Sequence, residues 1–195
     1  IIPLLETVQQ TVSQLSSVTV ELIVINDAST DKTENLLKEN DQLYDQLITM
    51  CRQSGKGGAV MEGLKQASGD YILFQDADLE YDPRDYGRMI EPILEGMSEV
   101  VLGVRQQPIG DVRRRQVIYW LSWIGNKAIT ATTNLLYGNK AGEYEGCYKA
   151  LTKRAIDAVE VRADGFDFDN ELVCRLLRAG YKTADVPIHY SPRDY

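Results

Sequence analysis

Cysteine and histidine are scarce in this chain. Its three cysteines, Cys51, Cys147 and Cys174, are odd in number, widely spaced and free of any CxxC pair. That excludes a disulfide framework, argues against a thiolate metal site, and fits reduced thiols in a cytosolic-type compartment. The single histidine, His189, lies at the end of a strand-like run beside Pro187 and reads as structural rather than catalytic. Long apolar runs are lacking too. No stretch reaches the roughly 18 unbroken apolar residues of a membrane span, and no signal peptide is visible. The nearest approach, residues 117–137, is interrupted by Asn126 and Lys127 and is expected to touch a membrane without crossing it. Cations are in deficit, with 21 Lys and Arg against 29 Asp and Glu and a net charge of -8. This argues against a general nucleic-acid binder, which needs basic faces to release counterions. The basic residues are unevenly placed. Arg105, Arg113, Arg114 and Arg115 crowd one short stretch, where an anionic partner is expected to dock.

With no internal repeat, low-complexity tract or second domain legible, the 195 residues read as one domain, 1–195. Strand-like and helix-like runs alternate, the pattern of an α/β layer fold. Leu4, Leu5, Val8, Val12 and Leu15 repeat at helical spacing. Residues 20–25, apolar but for Glu21, form a buried-strand type of run. Ser29 and Thr30 are placed to cap a helix over 31–43. A short strand over 47–51, a flexible turn at Gly55-Lys56-Gly57-Gly58 and a helix over 59–67 follow. Pro83 sits near the start of a helix reaching 95, and 99–104 is the next strand. Residues 106–111, with Pro108 and Gly110, form the best candidate for a mobile loop. A long helix over 113–137 is ended by Gly138. An extended piece over 147–151, helices over 153–159 and 169–179, the latter stopped by Gly180, and a strand over 182–189 complete the chain. A doubly wound sheet needs a first strand, yet only Ile1-Ile2-Pro3 precedes the first helical pattern. The expectation is that the chain begins inside that strand, with loop residues after Pro3 missing and a C-terminal extension absent.

The most informative local feature is the apolar run Tyr71-Ile-Leu-Phe-Gln75 ending at Asp76 and Asp78. On an extended backbone, side chains at i and i+2 point the same way. Two carboxylates held close call for a cation unless one is protonated. Oxygen ligands from so few residues favour Mg²⁺ or Mn²⁺, the remaining positions going to water and a diphosphate. The bland alternative is a solvated turn. A second acidic motif, Asn26-Asp27-Ala-Ser-Thr-Asp31, follows the run 22–25. Carboxylates beyond strand C-termini lie at the ligand edge of an α/β sheet, which makes Asp27 a candidate for reading a nucleotide; a cap or turn role is the alternative. Gly55-Lys56-Gly57-Gly58 suits anion contact at a helix start without matching the P-loop pattern.

Taken in order, Val24-Ile-Asn-Asp-Ala-Ser-Thr-Asp31, Gly55-Lys-Gly-Gly-Ala59, Gly69-Asp-Tyr-Ile-Leu-Phe-Gln-Asp-Ala-Asp-Leu-Glu-Tyr-Asp-Pro83, Glu145-Gly-Cys-Tyr-Lys149 and the stretch 186–195 resemble the family 2 glycosyltransferases. The branch they are most similar to is the polyprenyl-phosphate sugar transferases of dolichyl-phosphate mannose or glucose synthase type. The resemblance implies the GT-A fold, a mostly parallel mixed sheet flanked by helices, with a nucleotide-sugar donor, a divalent metal and inversion at the anomeric carbon. By matching position it implies that Pro3 and Asp27 contact the nucleotide, that Lys56 lies near the donor, that Asp76 and Asp78 hold metal and diphosphate, and that Gln75 and Glu80 shape that site. Two departures stand out. Asn26 replaces the usual acid before Asp27, and the Tyr-Asn-Glu that commonly follows the first proline is not seen.

The acceptor divides the possibilities. A hydroxyl must lose a proton to a general base, whereas a phosphomonoester, with a second pKa of about 6, is already anionic and needs cations instead. Arg105, Arg113 and Arg114 beside the candidate loop, and Arg193 in the terminal Ser191-Pro-Arg-Asp-Tyr195, supply the second kind of feature. Asp169, in Phe166-Asp-Phe-Asp-Asn-Glu171, falls where hydroxyl-using members place their base, although Phe168 stands where they carry Glu. Asp167 or Asp169 can equally cap a helix. Glu143 and Glu145 match an acidic pair of the branch and are expected to orient sugar or acceptor, with turn roles as the alternative. Tyr119, Trp120 and Trp123 beside the arginines have the composition of a membrane-contacting surface, with a core role as the alternative. The expectation is an inverting, metal-dependent transferase moving a sugar from a UDP- or GDP-sugar to a polyprenyl (dolichyl or undecaprenyl) phosphate, peripheral at the cytoplasmic membrane face. The alternatives are a hydroxyl-acceptor transferase with Asp169 as base, a sugar-1-phosphate nucleotidyltransferase, and a non-catalytic nucleotide-sugar-binding subunit.

Overall fold

The computed structural model describes residues 1–106, 116–165 and 167–191, with the side chains of 106 and 116–123 outside the description. Helix α1 (Ile2–Val12) buries Leu4, Leu5 and Val8, the stripe that the spacing predicts. Pro3 occupies its first turn, where a missing N–H costs nothing, and the amides of Leu4 and Leu5 both donate to Ile1 O at 3.1 Å. The chain therefore runs through Pro3 into the helix without a break. This corrects the expectation of a first strand over residues 1–3.

Strand β1 (Ile23–Asn26), helix α2 (Thr33–Glu39) and strand β2 (Gln46–Thr49) form a parallel βαβ unit, with Val24 opposite Leu47. Helix α2 is shorter than expected. Ser29 and Thr30 do not cap it; Asp31 Oδ1 accepts from Thr33 N at 2.9 Å, and a turn of 3-10 helix (Asp41–Leu43) follows separately. Helix α3 (Gly55–Gln66) begins four residues earlier than the turn reading predicts, so the glycine cluster is its first turn. Strand β3 (Tyr71–Leu73), a 3-10 turn (Pro83–Asp85), helix α4 (Tyr86–Leu94) and strand β4 (Val100–Gln106) come next. Helix α5 (Gln116–Tyr137), strand β5 (Lys149–Thr152), helices α6 (Lys153–Asp157) and α7 (Phe168–Arg178), and strand β6 (Thr183–His189) complete the order. Gly138 (φ +60°) and Gly180 (φ +93°) end α5 and α7 as expected of left-handed C-terminal glycines.

The expectation of an α/β fold holds, but that of one mostly parallel sheet is corrected in detail. The strands divide into the β1–β2 pair and a four-stranded sheet of order β3-β5-β4-β6. Strand β5, arriving from α5, inserts antiparallel between β3 and β4, while β4 and β6 run parallel. Val100, Val101, Ala150, Leu151, Leu172, Leu176 and Ile188 are fully buried where this sheet meets α7 and its neighbours. Each large aliphatic there contributes roughly 1.5–3 kcal/mol by leaving water. Among the described residues no helix is long and apolar enough to cross a membrane.

Candidate active site

Both acidic motifs lie beyond strand C-termini and turn through a non-glycine residue in the left-handed region. Ala28, after Asp27, has φ +53°, and Leu79, after Asp78, has φ +65°. Such residues cost about 1–3 kcal/mol each and persist only where surrounding contacts impose them. Across Leu79, Asp78 Oδ1 accepts from Glu80 N at 3.1 Å. Because β3 ends at Leu73 and Ala77 and Asp78 lie in a turn, the relation between Asp76 and Asp78 is set by turn geometry. The extended-strand argument for their convergence is corrected accordingly.

Asp27 reaches across to the start of α3. Its Oδ1 accepts from Ser54 N at 2.7 Å and Ser54 Oγ at 2.9 Å, and its Oδ2 from Gly55 N at 2.8 Å. The carboxylate thus caps a helix distant in sequence and sits at the positive end of its dipole. An anion does meet the glycine-rich helix start, and it is internal. The glycines answer a packing demand. A Cβ on Gly57 would lie 2.3 Å from Ala163 O, and one on Gly55 would lie 2.5 Å from Asp164 O. Only glycine lets α3 approach the 163–164 backbone so closely, and this approach carries Lys56 into the centre of the site.

Lys56 Nζ bridges two carboxylates, Asp76 Oδ2 at 3.1 Å and Asp169 Oδ2 at 2.7 Å. The other oxygen of Asp169 accepts from Lys149 Nζ at 2.7 Å, and Lys149 also donates to Gly146 O. Lys149, in the inner sheet strand β5, is 1% exposed, whereas Lys56 has 15% of its side chain exposed. Burial works against the charge of Lys56, but the carboxylates of Asp169 and Asp76 outweigh it and hold the ammonium above the ordinary lysine value. Burial pushes the Cys147 thiol well up, with Asp76 adding to the effect, so the sulfur beside this cluster stays protonated.

Gln75 is a clamp. Its Oε1 accepts from Tyr86 Oη at 2.9 Å and Tyr148 Oη at 2.6 Å, while its Nε2 donates to Asp76 O at 2.8 Å. Glu80 accepts from Tyr190 Oη at 3.0 Å. Arg105, at the end of β4, stacks 4.9 Å over the Tyr190 ring and is ion-paired with Glu143, so its charge is already compensated within the protein. Glu145 Oε1 is buried without a hydrogen-bond partner; burial raises the Cys174 thiol on α7, and the charge of Glu145 adds to the rise. The backbone N–H of His189 donates to the buried Asp85 at 2.6 Å, tying the end of β6 to the 3-10 turn. Pro3 is exposed, and its carbonyl accepts from Thr7 within its own helix. Arg113, Arg114 and Arg193, and the loop over 107–111, lie outside the described residues, as do the side chains of Tyr119, Trp120 and Trp123.

The structure therefore brings Lys56, Asp76 and Asp169 together, fastens Gln75, Asp78 and Glu80 around them, and gives Asp27 and Arg105 internal partners. Sequence reasoning did not assign Lys149 a role. The available signal was a lysine inside the otherwise apolar segment Cys147-Tyr-Lys-Ala-Leu151. The donor chemistry of the acidic turn fits a hard divalent ion. Asp76 and Asp78 are half-exposed carboxylates, and the nearby thiol is protonated. Among the described residues no group of three or more His, Cys, Asp and Glu side chains is placed to hold an ion alone. Two protein ligands with water and substrate completing the shell is the arrangement a hydrated ion takes.

Residues 3–159 match the sequence profile of Glycosyl transferase family 2. The chain belongs to this family. As a family 2 chain it is 28% identical over 173 residues to "Glycosyltransferase AglJ" of Haloferax volcanii, covering 88% of this chain and 54% of that protein. It is also 28% identical over 178 residues to "Undecaprenyl-phosphate 4-deoxy-4-formamido-L-arabinose transferase" of Proteus mirabilis, covering 90% and 51%. The chain spans about half the length of these curated relatives. Its fold is that of glucosyl-3-phosphoglycerate synthase from Mycobacterium tuberculosis, a structure solved with Mn²⁺ and uridine-diphosphate-glucose. The TM-score is 0.69 at 20% identity, covering 98% of this chain and 67% of that one. The family 2 match thus covers residues 3–159 and the likeness of fold 98% of the chain, and the GT-A fold expectation is met.

Proposed function

We propose that this family 2 domain transfers a sugar from a UDP- or GDP-sugar to a polyprenyl phosphate, with Asp76 and Asp78 holding Mg²⁺ or Mn²⁺. When bound, that ion would stabilise the departing diphosphate without proton transfer. Gln75 and Glu80 keep the acidic turn in shape, and Lys56 stands beside Asp76 at the place where a diphosphate would arrive.

The observation that carries the acceptor class is Asp169 lying between Lys56 and Lys149. Both of its oxygens already accept from ammonium groups, and only 9% of the side chain is exposed. To take a proton from a hydroxyl it would have to give up a buried ion pair. An acceptor that is already anionic avoids this requirement. The printed name of the Proteus mirabilis relative, an undecaprenyl-phosphate transferase, supports the same reading.

A membrane-borne acceptor needs a docking surface, and α5 has the features of one. Thr130 and Thr133 are buried against the domain, while Ile124, Ile129, Leu135 and Leu136 are exposed, Leu135 by 84%. This inverts the usual amphipathic pattern and supports peripheral contact with the cytoplasmic membrane face.

The decisive assay compares short-chain polyprenyl phosphate with simple sugars as acceptors across a panel of nucleotide sugars, with and without Mn²⁺. Transfer to the lipid phosphate alone is expected; transfer only to sugar hydroxyls would return the base role to Asp169. Asp76→Asn or Asp78→Asn is expected to abolish transfer and metal-dependent nucleotide binding in a folded protein, and Arg113→Ala or Arg114→Ala to raise the acceptor KM more than the donor KM.

A further inference from the structure

Lys149 and Lys56 share one carboxylate but differ in kind. Lys149 is enclosed in the sheet between Asp169 and the Gly146 carbonyl and has no path to solvent, being 1% exposed. Lys56 keeps 15% of its side chain exposed, and its second partner, Asp76, is 32% exposed. Charge counting separates them further. Asp169 is neutralised by Lys149 alone, so the charge on Lys56 is balanced by Asp76. A divalent ion on Asp76 and Asp78 would neutralise those two carboxylates and leave the charge of Lys56 in excess, 3.1 Å from a carboxylate that no longer needs it.

We propose that Lys56 is an exchangeable counter-ion of the acidic turn. Without donor it holds Asp76 in place of part of the metal charge; when the ion arrives it leaves Asp76, remains tethered to Asp169, and turns its ammonium to the incoming diphosphate. Asp169 is then a positioning residue that keeps Lys56 within reach of both partners, with Lys149 fixing Asp169. The proposal rests on the reading of Asp76 and Asp78 as ion ligands. Its particular content is competition between metal alone and Lys56, followed by cooperation between Lys56 and metal once a diphosphate is present. No rearrangement of the backbone is required, since the lysine already touches both carboxylates.

The test uses Mn²⁺ alone and Mn²⁺ with inorganic pyrophosphate, measured by titration calorimetry and by the spin resonance signal of free Mn²⁺. Lys56→Met is expected to bind Mn²⁺ alone about tenfold tighter than the wild type, because a like charge beside the ligand is gone. It is expected to bind pyrophosphate in the presence of Mn²⁺ about tenfold more weakly. Lys56→Arg, which keeps the charge, should restore weak binding of Mn²⁺ alone. Circular dichroism establishes that each variant is folded. Equal or weaker Mn²⁺ binding by folded Lys56→Met overturns the proposal. If that binding is still lost in Asp78→Asn, the metal reading survives while the counter-ion role falls. If neither the wild type nor Lys56→Met binds Mn²⁺ at millimolar concentration, with or without pyrophosphate, both fall together.

Discussion

The hydroxyl of Tyr190 donates to Glu80 Oε2 at 3.0 Å, and the next amide, Ser191 N, donates to Glu80 O at 2.9 Å. The segment leaving β6 is thereby fastened to the acidic turn, two residues from Asp78. The Tyr190 ring adds an edge contact with Tyr81 at 5.5 Å and lies under Arg105. Tyr190→Phe keeps the ring and removes only the hydroxyl, so a loss of about 1 kcal/mol is expected in urea unfolding. Tyr190→Ala should lose clearly more. Equal losses in the two variants would mean that the ring contacts contribute nothing.

Asp169 offers a choice between an anchor and a base. Asp169→Asn removes the negative charge that balances the Lys149 ammonium and leaves it buried with neutral acceptors alone, the amide oxygen and the Gly146 carbonyl. A loss of about 3–5 kcal/mol in stability is expected from an uncompensated buried charge. A base role predicts something else, a fall in kcat with stability unchanged. Denaturant unfolding read beside the acceptor assay distinguishes the two.

Gly57→Ala tests the approach of α3 to the 163–164 backbone. The added methyl would sit 2.3 Å from Ala163 O, a backbone atom that cannot swing aside. Overpacking of this kind costs about 1–3 kcal/mol. Because the displacement would carry Lys56 with it, donor binding should weaken as well. Gly125→Ala, with open space around it on α5, should be neutral or slightly stabilising and serves as the control.

The pH dependence of stability should carry a contribution from Asp185. Burial raises its carboxyl above the ordinary value of 3.8; the Gly142 amide, which donates to Oδ2 at 2.6 Å, works the other way, and Glu143 adds to the rise. A carboxyl raised in the native state binds protons more tightly when folded. Its contribution to stability is therefore fully present below the ordinary value and is lost as pH rises through the raised one. Asp185→Asn keeps an oxygen for Gly142 and removes the titration. Its stability should gain on the wild type as pH rises from about 4 to 7 in urea unfolding. A constant difference across that range would rule out Asp185 as the source.

Much of the fold was legible in the residues. The helical stripe of α1, the apolar strand cores, Gly138 and Gly180 as helix ends, and the family motifs through 69–83 depend on local periodicity and backbone chemistry that neighbours in sequence express directly. The glycine cluster was misread as a turn because its reason lies about a hundred residues away, in the carbonyls of Ala163 and Asp164. The partners through which Gln75 shapes the acidic turn, Tyr86 and Tyr148, were likewise out of reach of any local pattern.

The amino-acid order alone determined which carboxylates stand at strand ends and which family the motifs belong to, because both are properties of short segments. Tertiary structure alone decided what each charge faces. Asp27 meets Ser54 and Gly55, Arg105 meets Glu143, and Asp169 is held between Lys149 and Lys56. Ion pairing depends on distances of a few ångströms between segments far apart in the chain. Those distances are set by the packing of α3, β5 and α7 around one core, which no local pattern records.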